Sequence, residues 1–133
     1  MIKKGRDKQM KEQTQELKNL TEEFAGFIGT DEYYKHPFFK ELTYTEGVKA
    51  MASEYGAYWL IFLIFSHQYK KEVKQEPFQI WEIKSQNKKA VVVMRTDTGN
   101  PEIVLQKIPF TDFPEGVLKL YLSDGVLMLP SEY

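Results

Sequence analysis

The spacing of apolar positions changes near residue 77, and that change divides the chain into a helical first half and a stranded second half. Leu17, Leu20, Phe24, Phe27 and Ile28 recur at helical intervals, and Gly29-Thr30 closes the segment, as glycine does just past a helix C-terminus. The connector that follows, Asp31 to Phe39, carries Tyr33, Tyr34, Phe38 and Phe39, which predicts a segment packed under the domain. Pro37 turns His36 away from helical torsions. Thr45 is placed to cap a helix running from Glu46 to about Tyr55, with Val48, Met51 and Ala52 inward, and Gly56 bends or ends it. A second helix is expected from Ala57 to about Tyr69. Leu60, Ile61, Leu63 and Ile64 cover one side of it, while Tyr58, Phe62, Phe65 and Tyr69 form an aromatic stripe along another.

Beyond Pro77 the period is two. Phe78 to Lys84 reads as a strand with Trp81 and Ile83 on one face and Phe78 and Ile80 on the other. Lys89 to Arg95 is apolar on both faces and is expected to lie inside a sheet. Glu102–Ile108, Val117–Leu122 and Val126–Leu129 follow, separated by turns at Asp97–Pro101, Asp112–Gly116 and Asp124-Gly125. The pattern predicts an α+β fold with N-terminal helices packed on a C-terminal four- to five-stranded antiparallel β-meander. Residues 1–16 are polar and charged, a tail or helix extension, and residues 17–133 make one domain.

With 133 residues, nine Phe, eight Tyr and two Trp, the chain has the apolar content for a core. Cysteine is absent, which excludes disulfides, thiolate metal sites and a cysteine nucleophile. The N-terminus has positive charge without an apolar stretch behind it, and the longest apolar run, Ala57–Phe65, is nine residues where a membrane span needs about 20. A cytoplasmic protein with no membrane association is expected. The net charge of −1 is unevenly spread: residues 70–95 hold seven Lys/Arg against three Glu, and residues 96–133 hold two Lys against six acids. Paired as neighbouring strands, these segments would neutralise one another; alternatively Lys70, Lys71, Lys74, Lys84, Lys88, Lys89 and Arg95 face RNA or an acidic partner, with Trp81 or Tyr69 as stacking rings.

Little in the sequence points to catalysis. His36 and His67 are the two histidines, and a metal-free ribonuclease needs two imidazoles that meet; a surface or helix-end role for each is the plainer reading. Carboxylates are scattered, and the glycines do not cluster into a phosphate loop. No cofactor, metal or catalytic residue is expected.

Three segments carry a resemblance: Thr45-Glu46-Gly47-Val48-Lys49 leading to Gly56-Ala57-Tyr58-Trp59-Leu60; Phe78-Gln79-Ile80-Trp81; and the tail from Phe110-Thr111-Asp112-Phe113-Pro114 through Leu120-Tyr121-Leu122 and Gly125-Val126-Leu127 to Leu129-Pro130-Ser131-Glu132-Tyr133. Together they resemble an uncharacterised family of small bacterial and phage proteins, over roughly residues 24–133. The family supplies no activity or catalytic residue. Small proteins that travel with phages and mobile elements often antagonise host defence, so the resemblance implies an anti-CRISPR-like inhibitor of an RNA-guided nuclease or another defence enzyme.

These readings converge on a small non-catalytic binding protein. Tyr58, Phe62, Phe65 and Tyr69 would anchor a larger protein, which the resemblance suggests is a nucleoprotein nuclease, and the basic segment would steer RNA or an acidic partner. A small RNA-binding regulatory domain and, after it, the ribonuclease are the alternatives. The aromatic helix equally serves as a central core helix or as a homodimer interface.

Overall fold

The computed structural model describes residues 17–133; the expected polar tail, residues 1–16, lies outside them. Helices and a sheet form two layers. The first helix, α1 (Glu46–Tyr55), starts where Thr45 Oγ1 accepts a hydrogen bond from the Val48 N–H at 3.3 Å, and ends at Gly56, which adopts left-handed torsions. Helix α2 (Tyr58–Ser66) follows and tightens into a 3-10 turn over His67–Tyr69, then a single turn, α3 (Lys71–Lys74), leads into the sheet.

The sheet has seven strands: β1 (Tyr33–Lys35), β2 (Thr43–Thr45), β3 (Phe78–Gln86), β4 (Lys89–Arg95), β5 (Val104–Ile108), β6 (Gly116–Ser123) and β7 (Val126–Met128). Their spatial order is β1-β2-β7-β6-β3-β4-β5. The α+β class expected from the sequence is therefore present, but the strands do not run as a four- to five-stranded meander. β3, β4 and β5 are consecutive hairpin partners, and β6 returns to pair with the free side of β3, which is Greek-key order. The connector 109–115 makes this return by crossing beneath the β3–β4 hairpin. There Thr111 N–H donates to the Lys88 carbonyl at 2.9 Å, and Ser85 Oγ donates to the Phe113 carbonyl at 3.1 Å. Phe113 is buried against the rings of Tyr55 and Trp59, so the turn signal at residues 112–116 marks a plug at the base of the core.

The aromatic connector supplies two strands that the sequence pattern did not show. β1 and β2 form a hairpin, and β2 runs parallel to β7. The segment is not packed under the domain as a whole: Phe39 is buried, whereas Tyr33 and Phe38 are exposed.

The helix expected from Leu17 to Ile28 is also replaced, by a five-residue 3-10 turn over Leu20–Phe24. β7 is short and pairs only with residues 121–123 of β6, leaving the rest of that edge uncovered. Residues 18–21 cover it: Val117 N–H donates to the Lys18 carbonyl and Lys119 N–H to Thr21 Oγ1, both at 2.8 Å. Satisfying these backbone donors sets the local conformation ahead of helix propensity. Gly116 permits the approach. Its φ of 143° suits glycine, and a Cβ there would stand 2.5 Å from the Lys18 carbonyl oxygen.

Odd-numbered residues of β3 face the helices, so Trp81 and Ile83 join Leu118 and Leu120 of β6, Val92 and Met94 of β4, and Leu60, Ile61 and Ile64 of α2 in one core. Each such side chain removed from water contributes about 1.5–3 kcal/mol. The opposite face of β3 to β6 is turned away from this core.

Candidate functional site

The end of α2, the connector before β2 and the start of β3 enclose a cavity of about 670 Å³. This is within the usual range of roughly 300–1,000 Å³ for ligand sites. Phe38, Phe39, Leu42, Phe65, Tyr69 and Leu122 form its apolar walls, and Lys40, Glu41, Lys74, Glu76 and Asp124 stand among its polar lining. Helical spacing brings Phe62, Phe65 and Tyr69 onto the side of α2 that meets the connector.

Rings continue from the cavity wall onto the surface. Phe39 sits between Phe62 and Tyr69, at centroid distances of 5.4 and 5.7 Å, and Phe38 packs edge-on against Phe62 at 6.1 Å. Phe38 is 75% exposed, Tyr69 76% and Phe62 47%. The structure thus assembles a surface from Phe62 and Tyr69, which the helical stripe singled out, and Phe38, which it missed. Phe38 was visible in the sequence as an aromatic, but its outward direction depends on how the connector packs.

Two expected anchors are placed elsewhere. Phe65 is fully buried, because position 65 of α2 points between Phe39 and His36 into the core, and it cannot reach a partner. Tyr58 is half exposed, but its hydroxyl is paired with Ser53 Oγ at 2.8 Å, toward α1.

The cavity wall holds an amide pair, partly buried Gln68 and buried Gln79, that no pattern in the sequence singles out. Gln68 and Gln79 exchange side-chain hydrogen bonds, each 2.9 Å long. Gln79 Nε2 also lies 2.9 and 3.0 Å from the carbonyls of Val73 and Glu76, so its two hydrogens are shared among three acceptors, and Trp81 Nε1 donates to Gln79 Oε1 at 2.9 Å. This network holds α3 and the start of β3 in place. It also fixes Trp81, 1% exposed, in the core, so Trp81 is not an available stacking ring.

The basic segment is divided. Lys70, Lys71 and Lys74 lie at the α3 end of β3, and Lys84, Lys88 and Lys89 lie at or beside its far hairpin, some 20 Å or more along the strand. Arg95 is paired with Glu102 at 2.9 Å. The seven cations do not form one patch.

The histidines are separated too. His36 lies among the rings of Phe38, Phe39, Phe62 and Phe65, and its Nδ1 accepts from the Phe38 N–H at 3.1 Å. Burial there lowers its pKa. His67 turns to the sheet, 5.6 Å from the Trp81 ring, with Nε2 2.7 Å from Gln106 Oε1. They share no hydrogen-bond partner among the described residues. Among the same residues, no group of three or more His, Cys, Asp or Glu is arranged to hold a metal ion. No helix there is long and apolar enough to cross a membrane.

What the fold and cavity define is a two-layer α+β domain, helices on one face of a seven-stranded mixed sheet, with an aromatic-walled opening at one end. The chain belongs to a family of unknown function, DUF6876, whose model matches residues 18–133. No curated protein and no solved structure matches it.

Proposed function

We propose that this is a non-catalytic binding protein that docks onto a larger protein through Phe38, Phe62, Tyr69 and the adjoining cavity. The observation that carries the reading is the continuity of three exposed rings with an apolar-walled cavity. Contiguous apolar surface of this kind marks interaction sites, and aromatic side chains dominate the energetics of such contacts. Phe39 supports Phe62 and Tyr69 from beneath and is itself backed by Phe65, so the surface is pre-organised and loses little freedom on binding. The narrower role, inhibition of an RNA-guided nuclease or other host-defence enzyme in the cytoplasm, rests on the resemblance of the sequence to an uncharacterised family of small bacterial and phage proteins.

The test compares tagged wild-type protein with the triple variant Phe38→Ala, Phe62→Ala, Tyr69→Ala in RNase-treated host lysate. One dominant protein held by the wild type and lost by the variant, followed by direct titration of that purified protein, supports the reading. Equal retention by both removes this surface from consideration. Light scattering of the isolated protein covers self-association: a two-chain mass that falls to one chain in the variant assigns the surface to a homodimer instead.

A further inference from the structure

We propose that the face of the sheet turned away from the helices is a binding site for single-stranded nucleic acid, separate from the aromatic cavity. The β3 register fixes which side chains this face presents. Trp81 and Ile83 are buried against the helices, so the even-numbered β3 positions and their cross-strand partners point the other way.

Cations concentrate there. Lys84 is opposite Val91 of β4, which is opposite Lys107 of β5, placing two lysines in one row two strands apart, about 10 Å. Lys89 extends the face beyond that row, opposite Gln86, and Lys119 stands opposite Glu82 on β6. Arg95, opposite Ile80, completes five cations against Glu82 and Glu102. Lys84, Lys89, Lys107 and Lys119 have no ion-pair partner among the described residues. In a chain of net charge −1, this face carries an excess of positive charge that the remainder more than offsets.

The same face holds an aromatic cluster that the helical stripe did not suggest. Phe78 of β3, Tyr121 of β6 and Tyr133 form a closed set of ring contacts, with centroids 5.1, 5.2 and 5.6 Å apart. Tyr133 is 72% exposed although two rings brace it. Braced rings on an open sheet face are what unpaired bases stack on, and cations along the strands track the phosphates. A base-paired duplex offers no unstacked base to Tyr133. Phe78 and Lys84 are six residues apart, about 20 Å along the strand, enough for several nucleotides. Of the two groups of lysines separated by β3, only that of Lys84 and Lys89 belongs to this surface, which gives the test an internal control.

The experiment measures fluorescence anisotropy of labelled oligouridine, labelled oligothymidine and a duplex of equal length, at low salt and over a salt series. Saturable binding of a single strand at least about tenfold tighter than of duplex is expected. Its salt slope should be about −3, the value for four phosphate contacts on a single strand. The pair Lys84→Glu, Lys107→Glu and the single change Tyr133→Ala should each weaken binding about tenfold or more, while Lys70→Glu, Lys71→Glu leaves it within about twofold. The uracil and thymine probes distinguish RNA from DNA as the ligand. The proposal is overturned by absent binding at low salt, by equal affinity for duplex, or by equal loss in the Lys70/Lys71 control. All five positions carry partly or fully exposed side chains, and the milder pair Lys84→Gln, Lys107→Gln should give a smaller loss of the same kind.

Discussion

Glu132 and Thr45 lie 87 positions apart in the chain, and Thr45 Oγ1 donates to Glu132 Oε1 at 2.6 Å. The same carboxylate accepts from the Gly47 N–H at 3.2 Å and the Leu129 N–H at 3.0 Å. It therefore satisfies donors at the start of α1 and sits at the positive end of that helix. Glu132→Ala is expected to lower stability by roughly 2 kcal/mol, since it strands partly buried donors. Glu132→Gln should cost less, because an amide oxygen still accepts. Urea unfolding of the two variants checks the order.

Gly47 is expected to be intolerant of a methyl group. A Cβ at this position would stand 2.6 Å from Leu129 Cδ1 and 2.7 Å from Glu132 Oε1. Alanine improves helix propensity by about 1 kcal/mol over glycine, but overpacking costs typically 1–3 kcal/mol. Gly47→Ala should therefore have a lower melting temperature than the wild type. A higher one would show that the C-terminal segment is not seated on α1 as described.

Gln79→Leu should be among the more damaging polar-to-apolar changes. It removes the acceptor of Trp81 Nε1 and the partner of Gln68, and leaves the Val73 and Glu76 carbonyls without that donor. A loss of about 2 kcal/mol or more follows from the unmet groups. Thermal unfolding followed by tryptophan fluorescence reads stability and the Trp81 environment together.

Phe65 and Tyr69 share one apparent stripe in the sequence but should separate sharply on substitution. Phe65→Ala empties a fully buried site and should cost about 3–5 kcal/mol. Tyr69→Ala should stay within about 0.5 kcal/mol in the isolated protein, as surface changes do. Equilibrium unfolding of both variants would expose a wrong assignment, most clearly if Tyr69→Ala proved the more damaging.

His36 gives a pH dependence of known sign. Burial among aromatic rings lowers its pKa in the folded chain. The unfolded state consequently binds more protons across the window between the folded value and about 6.5, and stability rises with pH there. The contribution is complete above about pH 6.5 and is lost as pH falls through the folded pKa. Replacing His36 with Gln should flatten the rise, measured as urea midpoints across that window.

Much of this was legible in the order of residues. The Thr45 cap, the two adjacent helices split at Gly56, the β3 faces divided between Trp81 and Phe78, and the Asp124-Gly125 turn follow from local sterics and period. The site was less legible. Phe62 and Tyr69 were selected by helical spacing, but spacing cannot tell Phe65 from its neighbours on the same stripe. Nor does it reveal that Phe38 joins them or that Gln68 and Gln79 pair.

The sequence by itself determined the α+β class, the places of α1, α2 and β3 to β7, and which strand residues could share a face, because these depend on contacts within a few residues. Tertiary structure decided the Greek-key order, the parallel β2–β7 pair, the collapse of the expected first helix into a 3-10 turn, and the exposure of each aromatic. These depend on which distant edge each backbone segment must satisfy: residues 18–21 meet β6, and Glu132 meets α1. A hydrogen bond across such separations leaves no period in the sequence, so only the folded chain shows it.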